Sequence, residues 1–249
     1  MSRLTQYPAV GAINLFQTID PTTTTASNYD SKAPTYVGEK FVSSDGREFI
    51  LCSIGGSNIA SGVLTQSAAL IADHQNMATS TASAGATSVT VTLGATAVTA
   101  NQYAGGFITF NAGTGAGQTL RIASHPAANA SATCVITLED PIVTATNTAT
   151  TKSSLAPNPF ASIIIHPTTS TNSPAGVTLY PISAGLIGLV QTKGQIACLN
   201  DAGTTIGLGI APSTNTAGAV MTVAATTNQI GSAAYTGTTT EYSLINLNL

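Results

Sequence analysis

Charged side chains are scarce in this sequence. Asp, Glu, Lys and Arg make up 7% of its 249 residues, whereas an ordinary soluble domain carries about 25%. Three stretches, 74–120, 153–192 and 202–240, contain none of them. The seven Lys and Arg residues are scattered and the formal net charge is −3, so the sequence lacks the clustered cations that phosphate binding requires. The composition therefore argues against a nucleic-acid partner.

Long apolar runs are also missing. A membrane-spanning helix needs about 20 consecutive apolar residues, but prolines interrupt 153–192, and Gly, Thr and Ser interrupt the other two uncharged stretches. We therefore expect no membrane partner. We do not expect disorder either, because disordered chains combine low hydrophobicity with high net charge, and 43% of this chain is hydrophobic. The first residues lack the basic and apolar regions of a signal peptide.

Cysteine is rare, and its spacing excludes the usual cross-links. Cys52, Cys134 and Cys198 form an odd set with long separations, whereas disulfide frameworks and zinc sites use paired or closely spaced cysteines. Each cysteine stands beside apolar residues, so we predict three buried free thiols. Free thiols are typical of a reducing cytoplasm.

Candidate catalytic and metal-binding residues are few. We expect His74, His125 and His166 to occupy exposed turns rather than a catalytic site, because the sequence offers them few partners. The acidic pair Glu139-Asp140 would place its two carboxylates on opposite faces of a strand. No further carboxylates stand nearby to complete a calcium site. We therefore expect no enzymatic activity, no cofactor and no metal.

One glycine-rich segment superficially resembles a phosphate-binding loop. Gly113, Gly115 and Gly117 alternate with single residues, but a nucleotide fingerprint requires a preceding strand and a following helix. The segment that follows, 118–124, alternates like a strand, and the loop contains no lysine. We predict a hairpin tip here.

Threonine largely replaces the missing charge. The chain contains 41 threonines, and their β-branched side chains favour strands. Short apolar segments with period-two alternation follow one another, separated by turns rich in Gly and Pro; the clearest are 87–94, 106–111, 118–124 and 134–138. This pattern predicts an all-β fold, a short-stranded barrel or sandwich. A surface of Thr, Ser and Ala costs little to bury, which suits an assembly; the alternative is a free globular protein with a neutral surface.

The predicted organisation has a core, an insertion and an arm. Residues 39–80 and 163–249 form the β barrel or sandwich core, and residues 81–162 form an inserted β subdomain that ends in a Thr-, Ser- and Pro-rich linker from 146. Ser44-Asp45-Gly46 predicts a hairpin turn. A similar pattern recurs at Thr192-Lys193-Gly194, which suggests a second, duplicated hairpin.

Residues 1–38 are predicted to be an extended N-terminal arm. Low-complexity threonine with dispersed aromatic residues cannot form its own core, but it can lie along a neighbouring molecule. The candidate partner contacts are the aromatic side chains Tyr7, Phe16, Tyr29 and Tyr36. The alternative is a floppy terminus.

A set of segments carries a family resemblance. They are TSVTVTLG at 87–94, ANQYAGG at 100–106, GAGQTLRIASHP at 115–126, GLVQTKG at 188–194, PS at 212–213 and AGAV at 217–220. Together they resemble the head decoration, or capsid cement, proteins of tailed bacteriophages, over a region that runs from residue 40 to residue 249.

The resemblance implies a structural virion protein without an active site. Such a protein is made in the host cytoplasm, binds the outer surface of the assembled shell of major capsid protein, reinforces it, and is often a homotrimer. The alternative is a tail- or fibre-associated virion module that binds a host surface glycan, although such modules usually present exposed aromatic residues and this chain has no Trp. A bacterial surface-layer or adhesin domain is a further alternative, against which the missing signal peptide counts.

Overall fold

The computed structural model describes residues 4–6, 37–201, 203–223 and 228–249. These residues form short β-strands and turns, with a 3-10 turn at Ala72–His74, and no α-helix occurs among them. The all-β prediction is therefore confirmed.

The strands, numbered in chain order, are β1 Leu4–Gln6, β2 Lys40–Ser43, β3 Glu48–Ser53, β4 Leu64–Gln66, β5 Met77–Thr79, β6 Ser88–Thr92, β7 Phe107–Ala112, β8 Thr119–Ser124, β9 Thr133–Leu138, β10 Lys152–Ala156, β11 Ile164–Ile165, β12 Pro174–Thr178, β13 Ile187–Leu199, β14 Gly209–Pro212, β15 Val220–Thr222, β16 Gly231–Ala233 and β17 Tyr242–Asn248. They divide between two compact units. The first unit contains the described residues up to Ala68 together with Pro159–Leu249, and the second is Ala69–Asn158.

The second unit is a closed antiparallel barrel. Its strands follow the order β10-β5-β6-β9-β8-β7, and pairing between β7 and β10 closes the ring. Successive side chains of a strand lie on opposite faces, so one set fills the interior: in β9, Cys134, Ile136 and Leu138 are buried while Thr133 and Val135 are exposed. A closed ring leaves no strand edge unpaired.

The barrel corrects two sequence-based boundaries. Residues 69–80 were assigned to the core region, but the structure places them in the barrel unit, because β5 pairs with both β6 and β10. Residues 146–162 were expected to form a linker. They contain β10 instead, which carries Leu155 into the barrel interior and closes the ring against β7.

The first unit is a curled sheet of eleven strands. Its main path runs β1-β2-β3-β13-β17-β16-β14-β15, and β4, β11 and β12 pair beside it. The turn predicted between β2 and β3 is present, with Gly46 at a φ of +82°. Its apolar interior consists of two clusters of buried side chains, one around Ile210, Ile245 and Leu247 and the other around Ile54, Ile59 and Val190.

The longest strand, β13, corrects the duplicated-hairpin hypothesis. Residues 192–194 were expected to turn, but the strand continues through them: its first half pairs with β3 and its second half with β17. Gly194 permits this change of partner, because its φ is +93° and a β-carbon there would lie 2.7 Å from Cγ of Arg47. The strand therefore continues through this glycine.

The N-terminal arm is described only at β1, which pairs antiparallel with β2. The rest of the predicted arm, including Tyr7, Phe16, Tyr29 and Tyr36, lies outside the described residues.

Candidate functional site

The three histidines occupy buried positions, so the expectation of exposed turns was wrong. His74, His125 and His166 are 0%, 3% and 1% exposed. In both His-Pro pairs the imidazole Nδ1 lies against the carbonyl oxygen of the next residue, at 2.9 Å for His125 and 2.8 Å for His166. This contact requires Nδ1 to donate, which leaves Nε2 as an acceptor. The two histidines therefore secure their own turns.

The acceptor nitrogens of these histidines have partners nearby. Nε2 of His125 accepts the backbone N–H of Tyr103 at 3.0 Å, and Nε2 of His166 accepts the hydroxyl of Ser170 at 3.2 Å. Burial lowers the pKa of both histidines below the usual value. The Ser170–His166 contact has the composition of a nucleophile–base pair. The matching arrangement at His125, where a backbone amide takes the place of the hydroxyl, favours a structural role for both.

A buried polar chain links three residues of the barrel. The hydroxyl of Tyr103 lies 2.7 Å from Nδ1 of His74, whose Nε2 lies 3.0 Å from the carbonyl oxygen of Thr96. Nε2 of His74 must donate to the carbonyl oxygen of Thr96, so Nδ1 accepts the hydrogen bond that the Tyr103 hydroxyl donates. Burial raises the pKa of Tyr103 to about 12, so this hydroxyl stays protonated at neutral pH. The three cysteines are free and buried, as predicted.

The carboxylates serve turns and surface pairs. Asp201 accepts hydrogen bonds from Ser213, Asn215 and Thr216 at 2.6–3.0 Å, and these bonds lower its pKa below the usual value. Glu139 lies 3.3 Å from Arg121 on the barrel surface. Among the described residues, no cluster of three or more His, Cys, Asp or Glu could hold a metal ion.

Most cations of the described residues are paired within the chain. Glu48 contacts Lys40 at 2.6 Å and Lys193 at 3.9 Å, and Asp45 contacts Nε of Arg47 at 2.7 Å. With the Arg121–Glu139 pair, four of the five described Lys and Arg residues lie against a carboxylate. The described residues therefore offer little free positive charge to a partner.

Exposed apolar side chains form the surface feature that the sequence reasoning missed. We define the hairpin patch as Ile206, Leu208 and Tyr235, which are 61%, 48% and 45% exposed. Their apolar run, 206–210, is typical of a strand, but β14 begins only at Gly209, and Ile206 and Leu208 precede it.

Two chain segments hold the hairpin patch together. Thr204 and Gly237 form an antiparallel bridge, so the segment that carries Ile206 and Leu208 runs beside the segment that carries Tyr235. The N–H of Gly207 donates to the carbonyl of Ala233 at 2.9 Å, and the N–H of Ala233 donates to the carbonyl of Leu208 at 2.9 Å. Backbone hydrogen bonds therefore hold together the two segments that carry these exposed side chains. Singly exposed apolar residues are ordinary, whereas grouped ones mark interaction surfaces.

A second feature lies beside β13 and β17, a groove of about 450 Å³. We call it the Tyr242 groove. Its lining includes the half-exposed Tyr242, the buried Gln191, and Arg47, Gln195 and Leu244. The groove combines an apolar floor with amide, hydroxyl and guanidinium groups.

Comparisons with known proteins identify no relative: no family model, curated protein or solved structure matches the chain. Among the described residues, no helix has the length and apolarity needed to cross a membrane.

Proposed function

We propose that this chain is a structural protein of a bacteriophage virion that binds the outer surface of the assembled capsid and stabilises it. Its partners are then the shell of major capsid protein and other copies of itself, as a homotrimer. It is made in the host cytoplasm and resides on the outside of the virion. In this proposal it acts by binding alone and catalyses no reaction.

The observation that carries the proposal is a set of exposed apolar side chains on a surface whose described residues have little free positive charge. Ile206 and Tyr235 are exposed on two segments that are bridged at Thr204 and Gly237, while most of the described cations are already paired within the chain. Interface cores are depleted of charge and enriched in aromatic and apolar side chains. A threonine- and alanine-rich surround adds contact area whose burial costs little.

Stabilisation of a shell by such a protein follows from mass action. A ligand that binds the assembled state and not the free subunits stabilises the assembly by about 2.7 kcal/mol per site when its concentration is 100 times Kd. A trimer that contacts several subunits gains further, because its second and third contacts form at a high effective concentration. Each single contact can therefore be of modest affinity and the trimer still stabilises the shell.

The test is co-sedimentation with capsids assembled without this protein, and separately with unassembled capsid protein. We expect saturable, stoichiometric binding to the shells and none to the free subunits. The double variant Ile206→Ser, Tyr235→Ser should weaken binding at least about tenfold, since losing interface anchors typically costs more than 1 kcal/mol each.

The matched control is Val143→Ser. Val143 is 75% exposed and lies in the barrel unit, so this change removes an exposed apolar side chain without touching the hairpin patch. Shell binding by Val143→Ser should equal that of the wild type. Wild-type protein that ignores the shells and binds host cells would overturn the proposal in favour of a receptor-recognition module.

A further inference from the structure

The segment 99–106, which joins β6 to β7, places a large side chain in the barrel interior. Tyr103 is 2% exposed and belongs to the apolar cluster that fills the barrel. The segment is tied to the turn that follows β8: the N–H of Asn101 donates to the carbonyl of His125 at 3.0 Å, and the N–H of His125 donates to Oδ1 of Asn101 at 3.1 Å. We call this segment the Tyr103 loop. Its position therefore depends on the turn at His125.

His125 holds the Tyr103 loop through the ring nitrogen that takes up a proton in acid. Nε2 accepts the backbone N–H of Tyr103 at 3.0 Å, while Nδ1 donates to the carbonyl oxygen of Pro126 at 2.9 Å. A protonated imidazole carries an N–H on both nitrogens. The new N–H at Nε2 would point at the N–H of Tyr103, and two donors cannot form a hydrogen bond. Because a backbone amide cannot become an acceptor, protonation of His125 breaks this contact.

The other two buried histidines do not face this conflict. Nε2 of His166 contacts the hydroxyl of Ser170 at 3.2 Å, and Nδ1 of His74 contacts the hydroxyl of Tyr103 at 2.7 Å. A hydroxyl group can rotate and accept a hydrogen bond, so each of these partners accommodates an added proton. Burial lowers the pKa of His125 and of His166 alike. The difference between the histidines therefore lies in the chemistry of the partner group.

The titratable groups beside His125 do not compensate a positive charge. The ring centre of Tyr103 lies 5.9 Å from that of His125, and the sulfur of Cys134 lies 4.0 Å from Nδ1. Burial raises the pKa of both groups, that of Tyr103 to about 12, so both are neutral at neutral pH. His74 stacks edge-on against Tyr103 with 5.5 Å between ring centres, and a charge there would repel one on His125. The carboxylate of Asp73, next to His74 in sequence, already accepts a threonine hydroxyl at 2.6 Å.

We propose that His125 is an acid-sensitive switch: protonation of Nε2 releases the Tyr103 loop from the barrel while the barrel strands remain paired. The loop is not part of the closed ring of six strands, so it can open without breaking that ring. Opening also uncovers Cys134, because its sulfur packs on the His125 turn, 3.6 Å from the carbonyl oxygen of Pro126. This inference concerns the barrel unit alone and does not depend on the proposed capsid binding.

The test measures amide hydrogen exchange of the full chain at pH 7.5 and pH 5.0, with protection factors corrected for the intrinsic effect of pH on exchange. This range stays above the ordinary pKa of Asp and Glu, about 4. One histidine with an ordinary pKa of about 6.5 in the open state permits up to about thirtyfold more opening at pH 5.0. Peptides from the Tyr103 loop should lose at least about tenfold in protection, and peptides from 164–171, around His166, less than about threefold.

Thiol labelling gives a second readout on the same protein. A pyridyl disulfide reagent reacts with thiols in acid, and its rate is normalised to that of a free thiol at each pH. Cys134 should react at least about tenfold faster at pH 5.0 than at pH 7.5 on this scale. Cys52 and Cys198 are buried in the other unit and serve as internal controls whose normalised rates should not change.

Two variants make the test specific to His125. His125→Gln offers Oε1 as an acceptor for the N–H of Tyr103 and does not titrate, so protection of the Tyr103 loop should differ less than about threefold between the two pH values. The matched control His166→Gln removes the imidazole of the other His-Pro pair and should leave the acid response of the Tyr103 loop intact. The comparison of the two His-Pro turns in the wild type needs no variant to fold.

The inference is overturned if the Tyr103 loop keeps its protection at pH 5.0, if the segment 164–171 opens as much as the loop does, or if His125→Gln responds to acid like the wild type. Protection of the Tyr103 loop equal to that of β6 and β9 at both pH values would also overturn it, because the loop would then open only when the whole barrel unfolds.

Discussion

The hairpin tip between β7 and β8 contains a matched pair of glycines that tests the geometry of the barrel. Gly113 and Gly117 both have positive φ, at +78° and +91°. A β-carbon on Gly113 would lie 2.1 Å from the carbonyl oxygen of Thr150, whereas a β-carbon on Gly117 would meet nothing within 4 Å. Alanine at either position therefore causes the same kind of backbone strain, but the methyl group has free space at position 117 and none at position 113.

The expected costs follow from these two terms. A non-glycine residue in the left-handed region costs roughly 1–2 kcal/mol, and this is the whole expected effect of Gly117→Ala. Gly113→Ala carries the same strain and must also displace the backbone at Thr150, an overpacking cost of about 1–3 kcal/mol more. That segment is held by the hydrogen bond from the Thr151 hydroxyl to the carbonyl of Thr114 at 2.7 Å, so it cannot withdraw freely.

The assay is amide hydrogen exchange followed by mass spectrometry on peptides from the barrel strands, because a single unfolding free energy is poorly defined for a chain with two units. Gly113→Ala should lower protection in β7, β8 and β10 about tenfold or more beyond Gly117→Ala, since 1.4 kcal/mol corresponds to a factor of ten. Peptides from β13 and β17 serve as internal controls. Equal losses in the two variants would refute the close approach of the tip to Thr150.

Three further predictions concern acid, thiols and the arm. Burial depresses the pKa of His125 below its ordinary value of 6.5, so the unfolded chain binds the proton more readily than the folded chain. The stability of the barrel, measured by hydrogen exchange, should therefore be constant above pH 6.5 and fall as the pH drops below it. Barrel stability that does not depend on pH would contradict this. Burial raises the pKa of Cys52 and Cys198 to about 12, so iodoacetamide at pH 8 should label them only in denaturant; rapid labelling of the native protein would show otherwise. Deleting residues 1–36 should weaken co-sedimentation with the shell. The exchange protection of β3 and β13 should stay intact, because those strands pair with each other. Undiminished shell binding would refute the hypothesis that the arm lies along a neighbouring molecule.

The local alternation of apolar residues was sufficient to locate the barrel strands. Val89 and Val91 of β6, and Leu120 and Ile122 of β8, are the alternate apolar residues of segments predicted to be strands, and they are buried. Each of these strands has bulky apolar residues at every second position, so its pattern contains the information about its burial. The all-β class could therefore be predicted from the sequence.

Strand β10 shows why the rest could not be predicted. Its sequence, Lys-Ser-Ser-Leu-Ala, offers one bulky apolar residue, and its buried Ser153 is satisfied by the hydroxyl of Thr79 at 2.7 Å. The strand is stabilised by pairing with β5 and β7, which closes the ring. Both partners are distant in sequence, so the residues of β10 alone do not predict this pairing. The same limit applies to β13, where the glycine at 194 marks a change of pairing partner rather than a turn.

Candidate sites were harder to foresee for the same physical reason. The partners of His74 and His125 stand 22 to 29 residues away in sequence, so the sequence alone suggested exposed turns. The hairpin patch was missed because Ile206 and Leu208 belong to an apolar run that is typical of a buried strand. In the structure this run precedes β14, and both side chains are exposed.

The pairing of charge within the chain leads to a last prediction, about salt. If Lys40, Lys193 and Arg47 already contact carboxylates of their own chain, they have little charge left to attract a capsid. Electrostatic association weakens as salt shortens the Debye length from about 10 Å at 0.1 M to about 3 Å at 1 M, whereas apolar burial does not depend on that length. Shell co-sedimentation should therefore change less than about threefold between 0.1 M and 1 M NaCl, far below the drop of several decades that binding through many phosphate-like charges shows. A steep loss of binding with salt would mean that charges outside these pairs, such as Lys152 of β10 or Arg3 and Lys32 of the predicted arm, attach the protein to the shell. In that case the Ile206→Ser, Tyr235→Ser variant should bind as well as the wild type, so the two measurements together decide which surface attaches the protein to the capsid.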